Sequence, residues 1–247
     1  MSLKSNLAIL FPGVFGINNG ANTSMFEGFA IMDFLINCKQ NIVKYEVYDI
    51  GSHLGNWSAG FIHGNKGNVL EVDIKTFDPL FEPINLQTIL IFNKSYEYSR
   101  IVHRHYPVAI SRNSNFLHFD TLEMRESQSL SNKKVECMRM IDIIEKSGTT
   151  NYDNKIRILK IDVEGFEFEL LRAPIDLSEW KVIQFEISKY TFKMNVNINE
   201  FRKIFEKDFM LFVVSPNGLL PMTIALFDLI EASGTTNLVA ISKDLIK

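Results

Sequence analysis

The sequence predicts a single α/β domain built on an open sheet, and three observations point to it. Val47-Tyr-Asp-Ile-Gly-Ser-His-Leu-Gly-Asn-Trp-Ser58 reads as a short buried strand, a glycine turn and the start of a helix. Ile156-Arg-Ile-Leu-Lys-Ile-Asp-Val-Glu-Gly-Phe-Glu-Phe-Glu-Leu-Leu171 repeats that grammar, and Val182-Ile-Gln-Phe-Glu186 is a further buried strand ending in an acid. The 247 residues, 46% apolar and 22% charged, suffice for one domain with a full core.

Composition also excludes. A net charge of −3 argues against a broad nucleic-acid face, because neutralising phosphates needs clustered Lys and Arg. No apolar run is long enough to span a membrane. Cys38 and Cys137 form no disulfide framework, so a reducing, cytoplasmic setting is expected, with both thiols buried. Leu7 to Phe11 resembles a weak signal core, but Pro12-Gly13 interrupts it, and the acceptor pattern Asn22-Thr23-Ser24 would then be idle.

In chain order, residues 1 to 23 read as loops, and Ser24-Met-Phe-Glu27 reads as a capping box opening an apolar helix to about Cys38. The helix from Trp57 stops at Gly64-Asn-Lys-Gly67. A second strand runs from Asn68 to Asp78 and ends at Pro79. Asn85 to Asn93 is helix-like, and Tyr106-Pro-Val-Ala-Ile-Ser111 reads as the third strand. His103 and His105 read as a solvated strand face, since no carboxylate stands nearby to complete a metal set. Arg125 to Lys134 is a polar connection. Met140 to Asn151 is a helix with a glycine stop, echoed by Leu226 to Asn237. Phe166, Leu170 and Leu171 would form the apolar face of the helix after Gly165. Asn197 begins a helix facing inward through Phe201, Ile204 and Phe205. Phe209 to Val214 and Asn237 to Ser242 are strands, with a turn at Pro216-Asn-Gly218.

The first glycine turn is the candidate ligand cradle. A dinucleotide fingerprint reads G-x-G-x-x-G, whereas Asp49, Gly51 and Gly55 read D-x-G-x-x-x-G, and an acid beside a pyrophosphate would repel it. A helix N-terminus attracts a carboxylate and a strand-end acid an ammonium, which suits a nucleotide bearing an amino acid. An acid closing the second strand would hold ribose hydroxyls. Asp78 is favoured over Asp73 because Pro79 ends the strand there.

Asp49-Ile-Gly-Ser-His-Leu-Gly55, Phe77-Asp-Pro79, Arg139-Met-Ile-Asp142, Lys160-Ile-Asp-Val-Glu-Gly165 with Glu167, and Phe185-Glu186 together resemble the FkbM-type, S-adenosylmethionine-dependent methyltransferases. The likeness covers about residues 46 to 190. The family usually has Ala-Asn at Ser52-His53 and Glu at Asp78. The resemblance implies a Rossmann-like, seven-stranded, mostly parallel sheet of order 3-2-1-4-5-7-6 with the last strand antiparallel and helices on both faces. Residues 41 to 247 would be the methyltransferase domain, with residues 1 to 40 a loop and helix packed on it. It also implies S-adenosylmethionine as cofactor and a hydroxyl of a small molecule or glycan as acceptor. The implied cofactor residues are Asp49, Gly51, Ser52, His53, Gly55, Ser58, Asp78, Ala109 and Ile110, with Ser111 beside the adenine. Asp162 would border the methyl, and Glu164 or Glu186 would serve as base or orient the acceptor. Glu164 reads equally well as a helix N-terminal acid. No metal-binding residues are assigned; whether the three carboxylates also recruit a divalent ion is open, since nothing in their spacing compels one. A non-catalytic binder of the same fold is the alternative, and an NAD-dependent oxidoreductase a distant third.

Overall fold

Strand β1 (Lys44–Ile50) is buried along its length after its first residue and lies mid-sheet in this computed structural model. The structure describes residues 21–38, 44–64, 71–93, 100–112, 116–118, 134–146, 155–173, 176–188, 198–215, 218–223 and 235–246. Parallel strands flank β1: β2 (Glu71–Phe77) on one side, β7 (Lys155–Ile161) on the other. Beyond β2 lies β3 (Arg100–Tyr106), and beyond β7 lies β8 (Val182–Ser188). β11 (Thr235–Ser242) runs antiparallel between β8 and β9 (Phe209–Ser215), and β10 (Gly218–Pro221) closes that edge. The order 3-2-1-4-5-7-6 therefore stands, with one strand more than the seven expected. Ala109–Ser111 (β4), Phe116–His118 (β5) and Lys134–Arg139 (β6) form a separate small sheet.

Buried parallel strands present alternate residues to two cores. Tyr45 and Val47 of β1, with Ile74 and Ile158, pack with Trp57 and Phe61 of α2 (Asn56–Gly64) and with Ile31, Met32 and Leu35 of α1 (Ala21–Asn37). Tyr48 and Ile50, with Phe77, Leu159 and Phe185, pack on the other face. They meet Met140 and Ile143 of α4 (Met140–Lys146), Phe168 and Leu171 of α5 (Glu167–Leu171), and Phe201 and Phe205 of α6 (Ile198–Phe205). Phe185 stacks on both Phe201 and Phe205, at 5.1 and 5.2 Å between ring centroids. Truncating Phe201 to Ala would cost about 3–5 kcal/mol. α3 (Ile84–Asn93) follows β2, and α7 (Lys243–Ile246) follows β11.

Helix crossing explains two glycines. A Cβ on Gly28 of α1 would lie 2.1 Å from the Trp57 carbonyl oxygen, and one on Gly60 of α2 would lie 1.8 Å from that of Met25. The second core face carries a buried ion network. Glu46 receives Lys75 at 2.6 Å, Lys155 at 2.8 Å and Arg157 at 3.0 Å. Burial would raise the Glu46 carboxyl, but hydrogen bonds from Lys155 and Lys75 outweigh it and hold it at about 2.

Several expectations are corrected. α1 starts at Ala21, so Ser24 and Glu27 are interior and form no capping box; Glu27 reaches the sheet instead. The third strand is Arg100–Tyr106, not 106 to 111, because Pro107 lies past its end and Ala109–Ser111 pairs with β6. His103 and His105 are not solvated: each is half-buried, with a ring nitrogen at the Thr76 hydroxyl, 2.9 and 3.1 Å away. Phe166 is 56% exposed, and Phe168 takes its place in the core. Cys137 is buried but Cys38 only partly so. The readings of residues 1 to 20, 65 to 70, 125 to 133, 147 to 151, 197, 216 to 217 and 226 to 234 lie outside the described residues.

Candidate functional site

Strand parity decides what meets at the carboxyl ends of the central strands. Asp49 follows Val47 on the face covered by α1 and α2. Lys160, paired with Asp49 across β1 and β7, and Gln184, paired with Lys160 across β7 and β8, share that face. Ligands of open α/β sheets bind beyond these ends.

The chain turns after β1 through Gly51 (φ 71°), His53 (φ 47°) and Gly55 (φ 78°). His53 is non-glycine in the left-handed region, where Asn, Asp and His are the better tolerated residues. Space also fixes the glycines. A Cβ on Gly51 would lie 1.7 Å from the Asp162 carbonyl oxygen, and one on Gly55 would lie 2.8 Å from both Leu86 and Pro83. Ser52 is buried, and its hydroxyl has no partner among the described residues. An orphaned hydroxyl in a glycine cradle at a helix start fits a polar ligand such as the amino-acid end of S-adenosylmethionine.

Asp49 and Ser58 form the wall behind the cradle. Both are fully buried, and the Ser58 hydroxyl donates to Asp49 Oδ2 at 2.6 Å. The ammonium that Asp49 meets is the protein's own, Lys160 Nζ at 3.2 Å from Oδ1. Asp78 stands at the cradle itself. Its Oδ2 accepts the His53 N–H at 2.9 Å, and its Oδ1 accepts those of Leu80 and Phe81. Asp73 is on the opposite face, with Arg104 at 2.9 Å. Ala109 joins Val135 and Cys137 in a small cluster against which Leu80 packs, whereas Ile110 belongs to the α4–α6 core and Ser111 is buried at the end of β4.

The other half of the rim is acidic. Asp162, Glu167 and Glu186 each bring one oxygen within 4.8 Å of the others. A divalent ion could bridge such a group, but Lys160 already gives Asp162 a cation at 3.3 Å, and Glu167 accepts the N–H groups of Val163 and Gly165. Burial, then the Asp162 and Glu164 charges, push the Glu186 carboxyl well above the ordinary range. Burial likewise raises Glu167, to about 7, despite those backbone hydrogen bonds. Glu164 is exposed, at φ 54°. Glu167 holds the turn into α5 through the Val163 and Gly165 N–H groups.

Two residues at this rim carried a sequence signal of another kind. Glu27 is a buried acid among the apolar residues of α1. It accepts from Gln184 Nε2 and Asn237 Nδ2, each at 2.8 Å. The Trp57 indole donates to Gln184 Oε1 at 2.6 Å and so turns the amide's donor toward Glu27. Burial raises the Glu27 carboxyl to about 8, and Asp162 adds to it. Lys160, a lysine inside the apolar run Ile158 to Ile161, is the second.

Comparison with known proteins bears on this arrangement. The family model for the methyltransferase FkbM domain matches residues 49–210. Among solved structures, the methyltransferase FkbM of Methylobacillus flagellatus KT is 21% identical, with a TM-score of 0.40, over 79% of this chain and 43% of its own. The small RNA methyltransferase HEN1 is 9% identical, with a TM-score of 0.42, over 87% of this chain and 26% of its own. The chain thus spans less than half the length of each of these two proteins. No curated protein matches it.

Proposed function

Because the chain belongs to the methyltransferase FkbM family, we propose that it transfers a methyl group from S-adenosylmethionine to a hydroxyl oxygen of a small molecule or glycan. One observation carries the reading: a glycine cradle with an orphaned hydroxyl and a strand-end carboxylate shares one sheet face with a cluster of acids. In this reading Gly51, Ser52, His53 and Gly55 hold the amino-acid end, Asp78 the ribose, and Ala109 borders the adenine. Asp49 and Ser58 act from behind, by fixing the turn.

The cofactor supplies an electrophilic methyl on a sulfonium. The chain's own residues must then place the acceptor oxygen in line with that methyl and take its proton as the bond forms. Glu186 suits the second task, because a carboxylate with a raised pKa is a stronger base than an ordinary one. Asp162, a third exposed at the end of β7, suits orientation of the acceptor.

The test is to incubate the protein with S-adenosylmethionine and a panel of hydroxylated small molecules and glycans, following S-adenosylhomocysteine release and a one-methyl mass gain in the acceptor. Acceptor-dependent release that Glu186→Gln abolishes supports the proposal. Cofactor binding with no acceptor-dependent release across the panel would favour the non-catalytic reading.

A further inference from the structure

Lys160 sits where a lysine is costly. β7 runs between β1 and β8, and the Lys160 side chain is only 5% exposed. An ammonium taken from water there must find partners for three N–H groups. It finds three. Nζ lies 2.9 Å from the Gly51 carbonyl oxygen, 3.2 Å from Asp49 Oδ1 and 3.3 Å from Asp162 Oδ2.

These partners belong to different parts of the rim. Asp49 is the last residue but one of β1, Gly51 is the first residue of the cradle turn, and Asp162 follows β7 on the acceptor side. The backbone joins the same two segments, since the Asp162 N–H donates to the Ile50 carbonyl at 3.0 Å and Gly51 has room only for a hydrogen against the Asp162 carbonyl. Backbone contact fixes the approach of the segments but leaves two carboxylates close together. Lys160 Nζ lies between Asp49 and Asp162, within 3.3 Å of both, and cancels their repulsion. Burial pulls this ammonium's pKa down, but Asp49 and Asp162 outweigh it and raise it above the usual lysine range. The clamp therefore stays charged at any working pH.

We propose that Lys160 is a positioning residue for methyl transfer, one buried cation that holds the cofactor turn at Gly51 and the acceptor-side carboxylate of Asp162 in a fixed mutual geometry. This rests on reading the cradle as the S-adenosylmethionine site. Lys160 touches neither substrate in this account; it acts through Gly51, Asp49 and Asp162.

The experiment is a double-mutant cycle read by calorimetry with S-adenosylhomocysteine. Lys160→Met, close in length but without the charge, should raise Kd at least tenfold. Adding Asp162→Asn should then recover threefold or more, because the repulsion exposed by the lost cation is removed. Leu245→Ala, in α7 on the opposite rim, serves as a destabilised control and should bind with wild-type affinity. If Lys160→Met does not fold, Lys160→Gln keeps a donor for the Gly51 carbonyl and replaces it in the cycle. Wild-type affinity in the folded lysine variant, or strictly additive effects across the cycle, would overturn the proposal. Failure of the wild-type protein to bind S-adenosylhomocysteine would instead overturn the reading of the site on which it rests.

Discussion

Asp73 and Asp78 lie five residues apart, and strand parity separates them. Asp73 shares its face with Lys75 and Phe77, and Arg104 pairs with it there. Asp78 lies past the strand end, where it accepts the His53 amide of the cradle. Asp78→Ala should therefore weaken S-adenosylmethionine binding by about 1.5–3 kcal/mol, the range for losing a hydrogen bond to a charged group. Asp73→Ala should leave affinity unchanged, and a calorimetric result the other way round would overturn the assignment. Glu186→Gln should lower turnover by roughly a hundredfold to ten-thousandfold if that carboxyl is the base. Its raised pKa adds a pH signature: wild-type turnover should climb with pH through the neutral to alkaline range as Glu186 loses its proton. A flat pH–rate profile from an otherwise active enzyme would contradict that role. The glycines, Asp78 and the rim acids were legible in the sequence because short spacings encode a turn and a strand end. The partners of Glu27 were not, because residues 157 and 210 positions away supply them.

Among elements, α1 brings to the rim what the matched residues 49–210 do not contain. Glu27 bridges Gln184, two residues before Glu186 on β8, and Asn237, the register partner of Glu186 on β11. Its carboxyl is raised from 4.5 to about 8 by burial and then by Asp162. A group whose pKa rises on folding holds its proton more tightly in the native state, so its contribution to stability is complete below about 4.5 and is lost as pH rises toward 8. Thermal melts from pH 5 to 8 should show the wild type losing several degrees relative to Glu27→Gln, at about 2–4 °C per kcal/mol for a domain of this size. Parallel melting curves would show that Glu27 is already ionised at pH 5. β3 shows why an element can be misplaced from sequence. Arg100–Tyr106 is an edge strand, only half-buried and rich in charged and histidine side chains, so it lacks the apolar run that marks β1 or β7. The more apolar stretch beside it contains Pro107, which cannot donate a ladder hydrogen bond.

Across the whole molecule, two cores on either side of one sheet deliver a row of acids to a single rim. Among the described residues, Lys160 pairs with Asp49 and Asp162, while Glu27, Glu167 and Glu186 are close enough for their charges to raise one another or be raised by Asp162. On the proposed reading of the cradle, the two formal negative charges of Asp49 and Asp162 around the single Lys160 ammonium would favour a sulfonium over a neutral thioether and would repel a pyrophosphate. The α/β class was legible because buried parallel strands write long apolar runs, and the strand order followed from the family resemblance; the added edge strand β10 is four residues long and was not expected. The most direct test of the account is calorimetry with S-adenosylmethionine, S-adenosylhomocysteine and NAD in parallel at two salt concentrations. The first two should bind, the sulfonium more tightly by a margin that shrinks with salt, and NAD should not bind. Binding of NAD, or no binding of either adenosyl ligand, would contradict it.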